Sequence, residues 1–161
     1  MSALLEATEG LSQRVFGPNE VLANEGAQSD EMFVLVSGVV EVLRDETVVA
    51  ILSEPGSVIG EMSALLDAPY SATVRARETT TVRVVDGALR FLEANPAVTR
   101  EIAAVLARRL HLVTTYLADL RRQYGNGSLG LSMVDEVLSE LMNMQGRTAE
   151  PGSERAPDPN L

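Results

Sequence analysis

The residues of this sequence whose types and spacing suit chemistry gather between Ile59 and Val74. Gly60 and Glu61 follow a short apolar run, and Met62–Leu66 suits a short helix. Asp67–Tyr70 then turns the chain into Ser71–Ala76, which alternates like a strand. A glycine entering a helix leaves several backbone N–H groups unpaired and pointing one way. Together with the helix dipole they make a place for a phosphate or another anion. Glu61 beside them is an acceptor for hydroxyl groups. A bare Gly-Glu pair is more often a turn with a charged helix start, so the longer pattern must carry the reading. The single histidine, His111, lies among leucines without a Ser or Cys nucleophile motif, which marks a structural residue. Glu6, Glu9, Asp30, Glu31, Asp45 and Glu46 read as solvated loop charges, and no metal-ligand cluster stands out.

The 161 residues suffice for one domain with its own core. No apolar run reaches the roughly 18 residues of a membrane-spanning helix. Met1–Glu6 has no basic residue before its apolar pair and does not read as a signal peptide. There is no cysteine, which fits a reducing, cytoplasmic compartment. The formal net charge of −10 disfavours DNA binding by the chain itself. It also makes a local amide or cationic site more necessary for an anionic ligand.

From Arg14 the pattern is β. Short apolar stretches alternate with Gly, Pro, Asn and Asp, as in a sandwich or barrel. Strands are expected at Glu20–Ala23, Met32–Ser37 (nearly all apolar, hence buried), Val39–Arg44, Val48–Leu52, Ser71–Ala76 and Thr80–Val85. Asp45-Glu46 and Pro55-Gly56 are turns. Ala3–Leu11 suits a short helix that packs Leu4, Leu5 and Leu11. Asp86 is the expected N-cap of a helix ending near Asn95. Pro96 opens a second helix that runs to about Tyr124. Along it Leu106, Leu110, Val113, Leu117, Leu120 and Tyr124 step by four and three, a heptad seam. Beyond about Leu110 such a helix outruns a small barrel, at about 1.5 Å per residue, which predicts a homodimer. Gly125–Ser128 breaks the helix, and an apolar stripe from Leu131 to Met142, capped by Ser132, predicts a terminal helix. Gly146–Leu161 reads as a disordered tail.

The run Gly60-Glu61-Met62-Ser63-Ala64-Leu65-Leu66, with Ser71-Ala72-Thr73-Val74-Arg75-Ala76 after Pro69, resembles the phosphate-binding cassette of cyclic-nucleotide-binding domains. These are the sensing modules of the catabolite activator protein, the cyclic-AMP-dependent kinase regulatory subunits and gated channels. Phe16–Leu22, Asn24-Glu25-Gly26, Phe33–Gly38 and Gly56–Glu61 extend the resemblance over roughly residues 14–124. It implies a mainly β fold with helices: a β-roll or jelly roll with a short N-terminal helix, a cassette helix and a long C-terminal helix. The implied organisation is an N-terminal segment 1–13, the domain 14–124, a helix 125–145 and the tail 146–161. In that likeness Gly60 and Met62 offer N–H groups to the phosphate or ribose. Glu61 accepts from the ribose 2′-hydroxyl. Ser71 and Ala72 contact the phosphate, with Ser63 and Thr73 completing the cassette. Thr114, Thr115 and Leu117 cover the base.

Where the cassette has an arginine before its Ser-Ala pair, this chain has Tyr70. A charge-assisted bond of that kind contributes roughly 1.5–3 kcal/mol, so its loss weakens binding by about one to two decades. Arg75 is about 16 Å farther along a strand and no direct substitute. Either backbone N–H groups hold the ligand weakly, or the ligand differs, or Tyr70 closes the pocket. The expectation is a non-catalytic sensor without cofactor or metal. It binds cyclic AMP, cyclic GMP or a related small anion, transmits through the long helix as a homodimer, and acts on a separate output protein. The alternative is a degenerate fold that serves as a dimeric protein-interaction module.

Overall fold

The computed structural model describes residues 2–124, 133–134, 136–139 and 141. The tail 146–161 and most of the 125–145 expectation, including Leu131, Ser132 and Met142, lie outside the described residues; within it, 133–134, 136–139 and 141 are helical. No helix of the described residues is long and apolar enough to cross a membrane. The chain divides into two compact units, Met1–Ala107 and Arg108–Leu161.

The first unit holds two four-stranded antiparallel sheets. One has the order β1 (Gln13–Phe16), β8 (Thr80–Val85), β3 (Met32–Ser37), β6 (Val58–Ile59). The other has the order β2 (Val21–Ala23), β7 (Thr73–Ala76), β4 (Val40–Arg44), β5 (Thr47–Leu52). The helices are α1 (Ala3–Ala7), α2 (Glu61–Leu66), α3 (Ala88–Ala94) and α4 (Pro96–Tyr124), which ends in the second unit. The mainly β architecture, the short first helix, the cassette helix and the long helix agree with the expectation.

The continuous apolar run of β3 follows from burial on both faces. Phe33 and Leu35 point into one core, with Phe16, Leu22, Ile59, Val74 and Val82. Met32 and Val34 point into a second core against the helices, with Leu4, Leu92, Val98 and Ile102. Successive side chains of a strand face opposite ways, so the strand serves both cores at once. The Asp45-Glu46 turn is a two-residue hairpin with both residues at positive φ (47° and 64°), the twist such hairpins need.

Three expectations need correction. The first helix stops at Ala7, and Leu11 is exposed rather than packed. The strand after the turn begins at Thr73, not Ser71. Asp86 is exposed and does not cap α3. Gly87 holds that position at φ 62°, with no side-chain cap bond.

α1 is tied at both ends. Glu101 of α4 accepts from the Ser2 hydroxyl (2.7 Å) and the Leu4 N–H (3.2 Å), which satisfies a donor left over at the helix start. Arg83 of β8 donates to Leu5 O (2.5 Å) and to the buried Thr8 hydroxyl (3.3 Å).

The tightest backbone approach is at Gly38, between β3 and β4. Its φ is 96°, and a Cβ there would lie 2.6 Å from the Thr80 Cα and 2.7 Å from Thr79 O. Thr80 is fully buried, with its hydroxyl shared between Glu78 O (2.9 Å) and Val39 O (3.2 Å). Gly38→Ala combines a left-handed backbone cost of about 1–2 kcal/mol with a backbone clash. Urea unfolding should show the variant destabilised by at least about 2 kcal/mol, as a lower midpoint at unchanged slope. An equal midpoint would mean that this turn does not set the register of β3 and β4.

Candidate functional site: the α2–β7 cassette

Gly60 stands at the N-cap of α2 in the left-handed conformation (φ 89°), which glycine adopts at no steric cost. A Cβ at Gly60 would lie 3.1 Å from Glu31 O and 3.2 Å from the Tyr70 ring. Glu61 follows, 5% exposed and engaged in an interaction of its own. Met62 is exposed. Ser63 is buried and gives its hydroxyl to Ala68 O, closing the far end of the helix. Ser71 is exposed, Ala72 half-buried, and the Thr73 hydroxyl accepts from the Glu25 N–H (3.0 Å). The structure thus brings Gly60, Glu61 and Tyr70 together. It also engages the Ser63 and Thr73 hydroxyls in hydrogen bonds within the protein.

Tyr70 decides what this site can do. It is 7% exposed and belongs to the core between the sheets, with Phe33 and Ile59. Its hydroxyl donates to Glu31 O at 2.8 Å. Its own N–H donates to Ala27 O (3.0 Å), and its carbonyl accepts from the Gly26 N–H (2.8 Å). Tyr70 therefore fills space in this core. Desolvation on burial pushes the phenol above its ordinary value near 10. The hydrogen bond with Ser29 and the Arg14 guanidinium pull it down, and the Glu31 and Asp30 carboxylates push it up.

Arg75 does not replace the missing cation. Arg75 lies opposite Glu41 in the β4–β7 register. It bonds to Glu41 through both its Nε (2.8 Å) and its second guanidinium nitrogen. Arg77 Nε stands 3.8 Å from the other Glu41 oxygen. Glu41 is 8% exposed, and a desolvated carboxylate holds its cations firmly. Sequence reasoning placed Glu41 only inside the expected strand Val39–Arg44. An acid on β4, with one arginine on β7 and a second just past its end, was the available signal.

The long-helix candidates fall in the second unit, apart from Leu106, which packs partly on the helix-side core. Leu110 and Val113 are about half exposed, and Leu117 and Leu120 partly so. Thr114 gives its hydroxyl to Leu110 O (2.9 Å), Thr115 is exposed, and so is His111. Among the described residues no group of three or more His, Cys, Asp or Glu is placed to hold a metal ion.

A glycine-acid turn into a short helix, folded back on an antiparallel roll, has known counterparts. The profile of the cyclic nucleotide-binding domain matches residues 13–92. This chain belongs to the cyclic nucleotide-binding domain family. It is 36% identical over 124 residues to the Pycsar effector protein XpPycTIR of Xanthomonas perforans, a match covering 73% of this chain and 41% of that one. It is 28% identical over 128 residues to a CRP-like cAMP-activated global transcriptional regulator of Mycobacterium tuberculosis, covering 74% and 56%. The catabolite activator protein of Thermus thermophilus superposes with a TM-score of 0.62 at 28% identity, covering 71% of this chain and 57% of that one. A kinase regulatory-subunit domain, PKAR CBD2 with bound Sp-2Cl-cAMPS, shares the fold at 23% identity and a TM-score of 0.56. The chain thus spans about half the length of the curated relatives it matches.

The buried phenol gives this cyclic nucleotide-binding domain an alkaline signature. Because the folded-state pKa is raised, the folded protein keeps a proton that the unfolded chain loses near pH 10. Stability from Tyr70 is therefore complete below about pH 10 and falls as pH rises through the folded value. Tyr70→Phe should be less stable than wild type by about 1 kcal/mol at neutral pH, for the lost hydrogen bond. The gap should narrow above about pH 10, where only wild type carries this titration. Urea midpoints of both proteins across that range measure it. Parallel profiles would show that the hydroxyl is not sequestered.

Proposed function

We propose that the domain is a non-catalytic regulatory sensor. It takes a cyclic nucleotide or a related small anion at Gly60–Met62 and Ser71–Ala72 and transmits occupancy through α3 and α4. The observation that carries this reading is the cassette geometry: left-handed Gly60 at the start of α2, the buried Glu61 beside it, and an exposed Ser71 just before β7. The two CRP-type relatives are described as cAMP-activated and as a catabolite activator, which supports this ligand class. With Tyr70 turned inward and Arg75 held by Glu41, backbone N–H groups and Glu61 carry the recognition. Affinity is accordingly low. The cytoplasmic setting and the separate output protein belong to the same reading.

Calorimetric titration with cyclic AMP and cyclic GMP tests the ligand. Wild type should bind one of them weakly, and Glu61→Ala should abolish the heat. Tyr70→Arg, which restores a cation at the family's position, should tighten binding by roughly 10- to 100-fold. No heat from wild type or Tyr70→Arg up to about 1 mM would sink the sensor reading and favour the interaction module.

The seam Leu106, Leu110, Val113, Leu117 and Leu120 supports a homodimer through α4. Half-exposed Leu110 and Val113 on one stripe leave apolar surface that a second helix would cover. Sedimentation of wild type should give a dimer, and Leu110→Glu with Leu117→Glu a monomer. A monomeric wild type at about 100 μM, well above the micromolar range of a stable dimer, would remove the proposal.

A further inference from the structure

We propose that Tyr70 is a positioning residue, coupling the cassette to α3 through two adjacent backbone carbonyls, those of Asp30 and Glu31. The Tyr70 hydroxyl donates to Glu31 O at 2.8 Å. The carbonyl one residue earlier, Asp30 O, accepts from the Ala88 N–H at 2.8 Å. Ala88 is the first residue of α3 and is fully buried. The segment from Gly26 to Glu31 also exchanges both backbone bonds with Tyr70, through Ala27 O and the Gly26 N–H. One stretch of chain is therefore fastened to the cassette on one side and to the start of α3 on the other.

The packing around this path leaves no slack. A Cβ on Gly60 would already stand 3.1 Å from Glu31 O and 3.2 Å from the Tyr70 ring. A displacement of Ser71 and Ala72 must then move Tyr70, and with it Glu31 and Asp30, because close-packed interiors transmit small shifts instead of absorbing them. The coupling deepens the sensor reading, on which it rests for its trigger. The hydrogen-bonded path itself runs through the protein's own groups and needs no ligand atom. The groups facing the Tyr70 hydroxyl are Ser29, the Glu31 and Asp30 carboxylates, and Arg14. Arg14 is paired with Glu31 at 3.2 Å and lies over the Phe33 ring.

The test compares the full chain with Tyr70→Phe by amide hydrogen exchange, and follows 13C-labelled alanine methyls through alkaline pH. Loss of the hydroxyl should speed exchange at Ala88 by roughly 5- to 10-fold, the size of one hydrogen bond, with a smaller change at Val82 in β8. The Ala88 methyl should shift with the midpoint of the Tyr70 phenolate absorbance, obtained as the difference between the two proteins. In Tyr70→Phe it should not titrate. Equal acceleration at Val82 and Ala88 would leave Tyr70 a stability residue only and overturn the coupling. So would an Ala88 methyl that titrates identically in both proteins. The calorimetric titration fails independently: absent heat removes the ligand and leaves the coupling standing, whereas an indifferent Ala88 removes the coupling and leaves the ligand standing.

Discussion

The structure depends on a single strand that has no solvent face. β3 sends Phe33 and Leu35 one way and Met32 and Val34 the other, and all four are fully buried. Fully burying an apolar side chain of this size contributes about 1.5–3 kcal/mol, so the strand has one acceptable register: a slip by one residue exchanges its two faces. Both of its ends are then fixed in space. At one end Gly38 turns under Thr80. At the other, Asp30 and Glu31 are delivered between α3 and the cassette. The geometry of the candidate site is thus inherited from the most constrained element of the roll.

That inheritance explains how the cassette keeps its shape without the arginine. A phenol taken out of water needs an acceptor, since an unmade buried hydrogen bond costs about 1–3 kcal/mol. Glu31 O is held in reach by β3, and the Tyr70 ring adds to the core between the sheets. The energy that a phosphate would contribute to ordering this loop comes here from the protein's own interior. A cassette stabilised in this way has less to gain from a ligand. A ligand shifts an equilibrium only by its difference in affinity for the two states.

Much of this architecture was legible in the sequence. Turn residues, the apolar run of β3 and the β-branched residues of β8 placed β3, β4, β8 and the hairpin at Asp45-Glu46, and Pro96 marked the start of α4, because these elements are set by local rules. The cassette was legible as a pattern of glycine, acid and small residues. The inward turn of Tyr70 was not, because it depends on Glu31 O and Gly60, which only tertiary packing brings beside it. The Glu41–Arg75 pair was hidden for the same reason: cross-strand partners are set by β4–β7 register, which no single stretch encodes. Asp86 misled because a side-chain cap and a left-handed glycine are alternative ways to begin a helix, and Gly87 supplied the second.

Charge then constrains what the site accepts. The chain carries a formal net charge of −10, and its field opposes an incoming anion at low salt and less at physiological salt. Among the described residues, three arginines of the roll are already engaged by acids. Arg75 and Arg77 converge on Glu41, and Arg14 is paired with Glu31. Glu61 adds a buried acid next to Gly60. Contacts from N–H groups favour an anion only modestly when acids stand close by, whereas hydroxyl donors are favoured by those acids. In the sensor reading proposed above, the balance of attraction therefore shifts from the phosphate end of a nucleotide toward its ribose, and Glu61 is the group on which that proposed recognition turns.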